Sequence, residues 1–68
     1  MDVTIEYEKE VDGRWLAEVP QLPGVMAYGA SSDEATRKAE ALALRVMAER
    51  LEQNESSAVP IRIGLKAA

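Results

Sequence analysis

Apolar and polar residues alternate from the start of the chain. Val3, Ile5 and Tyr7 interleave with Thr4, Glu6 and Glu8. A period of two predicts a strand with one dry face and one wet face. Val11-Asp12-Gly13-Arg14 comes next. Asp-Gly between two alternating runs predicts a hairpin, with both central residues at positive φ in a type I′ turn. The second strand covers 14–19, with Trp15, Ala17 and Val19 on one face and Arg14, Leu16 and Glu18 on the other. Pro20-Gln21-Leu22-Pro23-Gly24 then interrupts the pattern. Two prolines remove two donors and fix φ, and Gly24 offers a permissive turn position, so a stiff connection is expected. A short third strand follows over 25–28 and stops at Gly29.

The period then changes. Ser31-Ser32-Asp33-Glu34 has capping-box spacing, with Ser31 as N-cap and Glu34 reaching back to it. From Ser32 to about Gln53 there is no Gly or Pro, which predicts a helix about 30 Å long. Ala35, Ala39, Leu42 and Val46 recur at helical spacing and are expected to face the sheet. Leu44, Met47 and Leu51 lie on a second flank. The apolar stripe is therefore wide enough either for a broad core face or for contact with another subunit. Asn54-Glu55-Ser56-Ser57 ends the helix, and a last strand is expected over 59–65, with Pro60 near its start at a sheet edge.

The fold class expected is α+β, a two-layer β-β-β-α-β arrangement with one helix packed on a four-stranded mixed sheet. Three sequential strands form a meander, and the helix returns the chain so that strand four runs parallel to strand one, in the order 4-1-2-3. The second face of that sheet carries Thr4, Glu6, Glu8, Arg14, Glu18 and Arg62, and is expected to be mostly wet.

With 68 residues, the chain is read as a single domain over 1–68. Cys and His are both absent. That excludes disulfides, thiolate or imidazole metal sites, and Ser-His or Cys-His catalysis. No apolar run approaches the roughly 20 residues of a membrane span, and the first residues do not resemble a secretory signal, so a cytoplasmic location is expected. Hydrophobic residues make up 47% of the chain, which places it outside the disordered regime. A domain this short buries only about 60% of its unfolded surface. Self-association is a common remedy, so a homo-oligomer is expected, with Leu44, Met47 and Leu51 as candidate contacts.

Eight basic and twelve acidic residues give a net charge of −4. Residues 1–12 hold Asp2, Glu6, Glu8, Glu10 and Asp12 against Lys9 alone, so the whole excess sits on the first hairpin arm. That balance argues against a phosphate-binding surface for nucleic acid. It suits an attraction for a basic protein, and equally an ordinary solvated strand face. Glu6 and Glu8, with Glu18 across from them, are oxygen donors of the kind Mg²⁺ takes. Such residues also line the exterior of many acidic strands, and no metal is expected. Of the hydroxyls Ser31, Ser32, Ser56 and Ser57, none has a histidine partner. Gly24 and Gly29 do not form a phosphate loop. Tyr7, Trp15 and Tyr28 read as core and core-edge rings. No catalytic residue, cofactor or metal ligand is assigned, and no enzyme activity is expected.

The segment Asp12-Gly13-Arg14-Trp15-Leu16-Ala17-Glu18-Val19-Pro20-Gln21-Leu22-Pro23-Gly24-Val25 resembles the amino-terminal core of HicB-type antitoxins, an apolar strand followed by a Pro-acidic-Leu-Pro-Gly turn. Gly29-Ala30-Ser31-Ser32-Asp33-Glu34-Ala35 is similar to the family's next element, a Gly-x-Thr/Ser segment leading into the helix. The likeness runs from about Ile5 to Glu52, and Gln21 stands where the family usually has an acidic residue. The resemblance implies a partial ribonuclease-H-like sheet that does not catalyse. It also implies a partner, a small basic HicA-like toxin that cleaves messenger RNA and whose active site the domain masks. A solitary HicB-like homo-oligomer without a toxin is the alternative. Ribonuclease-H chemistry needs several carboxylates around two metals. Glu6, Glu8 and Glu40 make an incomplete set, and strand four adds none. Many family members add a carboxy-terminal DNA-binding segment. The chain ends just after strand four, so no DNA binding is expected. The candidate partner-binding residues are Glu6, Glu8 and Glu10 on the acidic arm, with Pro20, Leu22, Pro23 and Gly24 of the rigid turn.

Overall fold

The computed structural model describes residues 1–53 and 58–68. The residues read as the end of the helix, Asn54, Glu55, Ser56 and Ser57, lie outside that set. The elements run β1 (Asp2–Lys9), β2 (Trp15–Glu18), β3 (Met26–Gly29), α1 (Ser32–Gln53) and β4 (Arg62–Ala67). The four strands form one sheet in the order β3-β2-β1-β4. β1–β2 and β2–β3 are antiparallel, and β1–β4 is parallel. This is the expected two-layer β-β-β-α-β fold.

The hairpin between β1 and β2 departs from the expected turn. Gly13 takes φ 91°, but no non-glycine residue has positive φ, so Asp12 does not. Gly13 N–H donates to the Glu10 carbonyl at 3.0 Å, and Glu10 N–H donates to the Arg14 carbonyl at 2.6 Å. The loop is therefore three residues, Val11-Asp12-Gly13, a tight turn followed by one glycine in the left-handed region. A loop of this length keeps Asp12 at negative φ and leaves the positive φ to Gly13, and the Asp12 carboxylate is used locally. Oδ1 accepts from Arg14 N–H at 3.0 Å and Oδ2 from Arg14 Nε at 2.8 Å.

The proline-rich connection consists of two successive turns. Leu22 N–H donates to the Val19 carbonyl at 2.9 Å, and Val25 N–H donates to the Leu22 carbonyl at 3.0 Å. Each turn has proline at its second position, where φ is preset. Gly24, at φ 88°, supplies the positive φ that the second turn requires. Val19 N–H donates to the Val25 carbonyl at 3.0 Å and closes the unit. Leu22, shared by both turns, is driven into the core and is 2% exposed. Gln21 Oε1 accepts the Thr4 N–H at 3.1 Å, tying the turn to β1.

The core is small and aliphatic. Its largest fully buried side chains are Ile5, Leu22, Met47 and Val19. Tyr7 and Trp15 pack against its edge with ring centroids 6.4 Å apart. On α1 the buried positions are Ala35, Ala39, Ala43 and Met47, while Leu42 and Val46 are only partly buried. The stripe steps by four throughout, not by four and then three as expected. A row of i+4 residues is inclined to the helix axis, so the contact with the sheet winds around α1. The same drift corrects the reading of Met47, which belongs to the core and not to an outer flank.

Ser31 Oγ accepts from Glu34 N–H at 3.1 Å, as the cap requires. The return bond lands one residue earlier than expected. Glu34 Oε1 accepts from Ala30 N–H at 3.0 Å. That bond, followed by the charge of Lys38, holds the Glu34 carboxyl below its ordinary range.

β4 begins three residues later than expected, at Arg62, and continues to Ala67. Its register explains the shift. Arg62 lies opposite Asp2, the first residue of β1, so Val59, Pro60 and Ile61 have no strand beside them. Arg62 N–H donates to the Met1 carbonyl at 2.9 Å, while the Met1 ammonium donates to the Pro60 carbonyl. No helix among the described residues is long and apolar enough to cross a membrane.

A Cβ built on Gly29 would lie 2.6 Å from the Ala35 backbone nitrogen. Gly29→Ala is therefore expected to destabilise the fold by about 1–3 kcal/mol, measured by urea unfolding. For Glu34 the sign follows from its lowered pKa. The folded carboxylate resists protonation more than the unfolded one, so its contribution is present near neutral pH and disappears as pH falls through the carboxylate range. Glu34→Gln is expected to lower the melting temperature at pH 7, with the gap to wild type closing under acid.

Candidate protein-binding face

One helix on one sheet leaves the other sheet face bare. The register arranges that face in rows. Met26, Glu18, Glu6 and Lys66 are successive neighbours across β3, β2, β1 and β4. Tyr28, Leu16 and Glu8 form the next row. Met26 and Tyr28 are exposed, and Leu16 is half-buried. The face thus has an apolar side on β3 and β2 and an acidic side on β2 and β1. The expectation of a mostly wet face overlooked the first, and Tyr28 is not the core or core-edge ring it was expected to be. The signal was available in the sequence. Met26 and Tyr28 alternate with Ala27 and Gly29, and the two small residues are the ones α1 presses against.

Glu6 and Glu18 sit directly opposite each other on adjacent antiparallel strands. Like charges in that position oppose folding. Among the described residues the ion pairs are Arg14–Asp12 at 2.8 Å and Lys38–Glu34 at 3.5 Å, so neither involves Glu6, Glu8 or Glu18. Arg14, the cation nearest to Glu18 in sequence, is engaged elsewhere. Its guanidinium binds Asp12 and lies 4.3 Å from the centre of the Tyr28 ring. The Arg14 backbone N–H, and then its side chain, hold the Asp12 carboxyl below the usual range.

The expected contact residues therefore separate. Glu6 and Glu8 lie together on the bare face and gain Glu18 as a neighbour. Glu10 closes the hairpin through its backbone, beside Val11, which projects fully into solvent. Pro20, Pro23 and Gly24 are exposed at the turn. Leu22 is not available to a partner, because it fills the core. Of the expected oligomer contacts, Leu44 and Leu51 are exposed and Met47 is not.

Among the described residues, no three acidic side chains gather closely enough to hold a metal ion. The depressions are shallow, one at the hairpin loop among Glu10, Val11, Asp12 and Arg14, the other between the start of α1 and β4. Comparison with family models, with curated proteins and with solved structures finds no match to this chain.

Replacing one member of the opposed pair tests the face directly. Glu18→Lys converts a repulsive cross-strand pair into an attractive one, and is expected to raise stability by about 0.2–1 kcal/mol in chemical unfolding at low salt.

Proposed function

We propose that this chain is a non-catalytic, HicB-like protein-binding domain whose bare sheet face docks on a small basic protein. The partner class that fits is a HicA-like, mRNA-cleaving toxin, held inactive while its basic surface is covered. The observation that carries this reading is the Glu6–Glu18 pair, opposed across β1 and β2 with neither carboxylate in an ion pair among the described residues, although Lys66 neighbours Glu6 on β4, and set beside Leu16, Met26 and Tyr28. A fold that only had to be stable gains nothing from that repulsion. A basic partner relieves it on binding, and complementary charge speeds and orients the encounter. The apolar strip supplies the contact core, with the carboxylates as its rim. The β-β-β-α-β order and the double proline turn agree with what the resemblance implies, which supports the family reading.

The test uses the full chain and a purified HicA-like toxin, a small basic mRNA-cleaving protein. Purified domain is expected to bind that protein and suppress its RNA cleavage. Glu6→Gln, Glu8→Gln and Glu18→Gln together are expected to weaken binding at least about tenfold at low salt, with the difference shrinking as salt screens the charges. Equal affinity of the triple variant and wild type at low salt would refute the electrostatic face. Cleavage of RNA by the domain itself, lost on a single substitution, would refute the non-catalytic reading.

A further inference from the structure

Asp12-Gly13 is the one Asp-Gly step in the chain, and it lies exposed at the tip of the β1–β2 hairpin. The other aspartates, Asp2 and Asp33, precede the bulkier Val3 and Glu34. Glycine has no side chain to shield its own nitrogen, so an aspartate before it is open to backbone rearrangement. In that reaction the Gly13 nitrogen attacks Asp12 Cγ. A C–N bond forms, and the carboxyl hydroxyl leaves with the amide proton as water. A second water then opens the five-membered imide at the former backbone carbonyl. The chain afterwards runs through Cγ, and the old backbone carbonyl carbon becomes the free acid. The product keeps its mass and has one more carbon in its backbone.

The groups that this reaction needs are all engaged in the hairpin. The Gly13 N–H donates to the Glu10 carbonyl at 3.0 Å. Asp12 Oδ1 accepts from Arg14 N–H at 3.0 Å, and Oδ2 accepts from Arg14 Nε at 2.8 Å. Both oxygens are thus turned toward residue 14. The Arg14 guanidinium is braced in its turn, 4.3 Å from the centre of the Tyr28 ring on β3. The hydroxyl leaves only from a protonated carboxyl, and the Arg14 backbone N–H, then its side chain, keep that proton off Asp12.

We propose that Asp12-Gly13 is a latent site of isoaspartate formation, and that Arg14, seated on Tyr28, is the clamp that holds it shut. The clamp protects more than one peptide bond. Loop length sets the register of a hairpin. An added carbon in the three-residue loop would release the bonds between Glu10 and Arg14, and with them the pairing of Glu6 with Glu18. The proposal stands on the hairpin alone and does not depend on the function proposed for the acidic face.

The test incubates the folded full-length chain at neutral pH and raised temperature, and follows isoaspartate by peptide mapping. Cleavage after lysine releases residues 10–38 from every variant, and fragmentation of that peptide locates the rearranged residue. Arg14→Gln is expected to accumulate isoaspartate at Asp12 at least about threefold faster than wild type, the scale of an exposed charged contact. Tyr28→Leu leaves every hairpin residue in place and is expected to shift the rate in the same direction. It decides the matter if Arg14→Gln loses its circular-dichroism signal. Glu34→Gln, destabilised away from the hairpin, is expected to match wild type, which separates the clamp from general unfolding. Wild type in denaturing urea is expected to react faster than when folded. A folded Arg14→Gln that reacts at the wild-type rate would overturn the proposal, as would equal acceleration by Glu34→Gln or a wild-type rate unchanged by urea.

Discussion

Close approach between α1 and the sheet is the constraint on which the rest of the structure depends. Ala35, Ala39 and Ala43 present no more than a methyl group to the strands. Gly29 lets the first turn of the helix come nearer than any side chain would permit. The close seating lets a chain with few large buried side chains exclude water from its core. It also determines which strands are covered. A single helix about 10 Å across cannot shelter four strands spaced about 4.8 Å apart. Because α1 sits nearest β3, β4 is the strand left out.

Much of this was legible in the sequence. Period-two alternation located β1 and β2, and the absence of Gly and Pro across residues 32–53 marked the helix with its true bounds. The strand order followed from chain direction together with the preference for a crossover that returns to the free edge of β1. What escaped the sequence depended on where neighbouring backbone lies. Whether Asp12 takes positive φ was decided by where the Glu10 and Arg14 backbones close the loop, which leaves the positive φ to Gly13. β4 starts at Arg62, and not where its apolar alternation begins, because β1 starts at Asp2. Met47 looked available because local spacing gives an azimuth but not the path of the helix across the sheet, and Leu22 because a turn residue reads as exposed until the two linked turns drive it into the core.

The candidate face was legible in part. The excess of acidic residues over 1–12 is plain in composition, but composition cannot separate a used carboxylate from a free one. Asp12 is consumed by Arg14, and Glu10 serves the hairpin with its backbone. Glu18, outside that stretch, joins Glu6 only through strand pairing. The face is therefore assembled across two strands, beside an apolar strip from β3.

The two open surfaces differ in kind, and the difference follows from their position. The bare sheet face mixes carboxylates with Leu16, Met26 and Tyr28, a combination that a partner of opposite charge would complement. On the helix side of β4, Ile63 and Leu65 stand beside Asp33, Ser32 and Thr36 of the first helical turn, and the aliphatic part has the energetics of a core left unfinished. A surface of the first kind suits an encounter that forms and dissolves. A surface of the second kind suits a contact that persists, since separating it returns apolar area to water at about 25 cal/mol per Å². A chain this short thus leaves part of its apolar surface outside its own core.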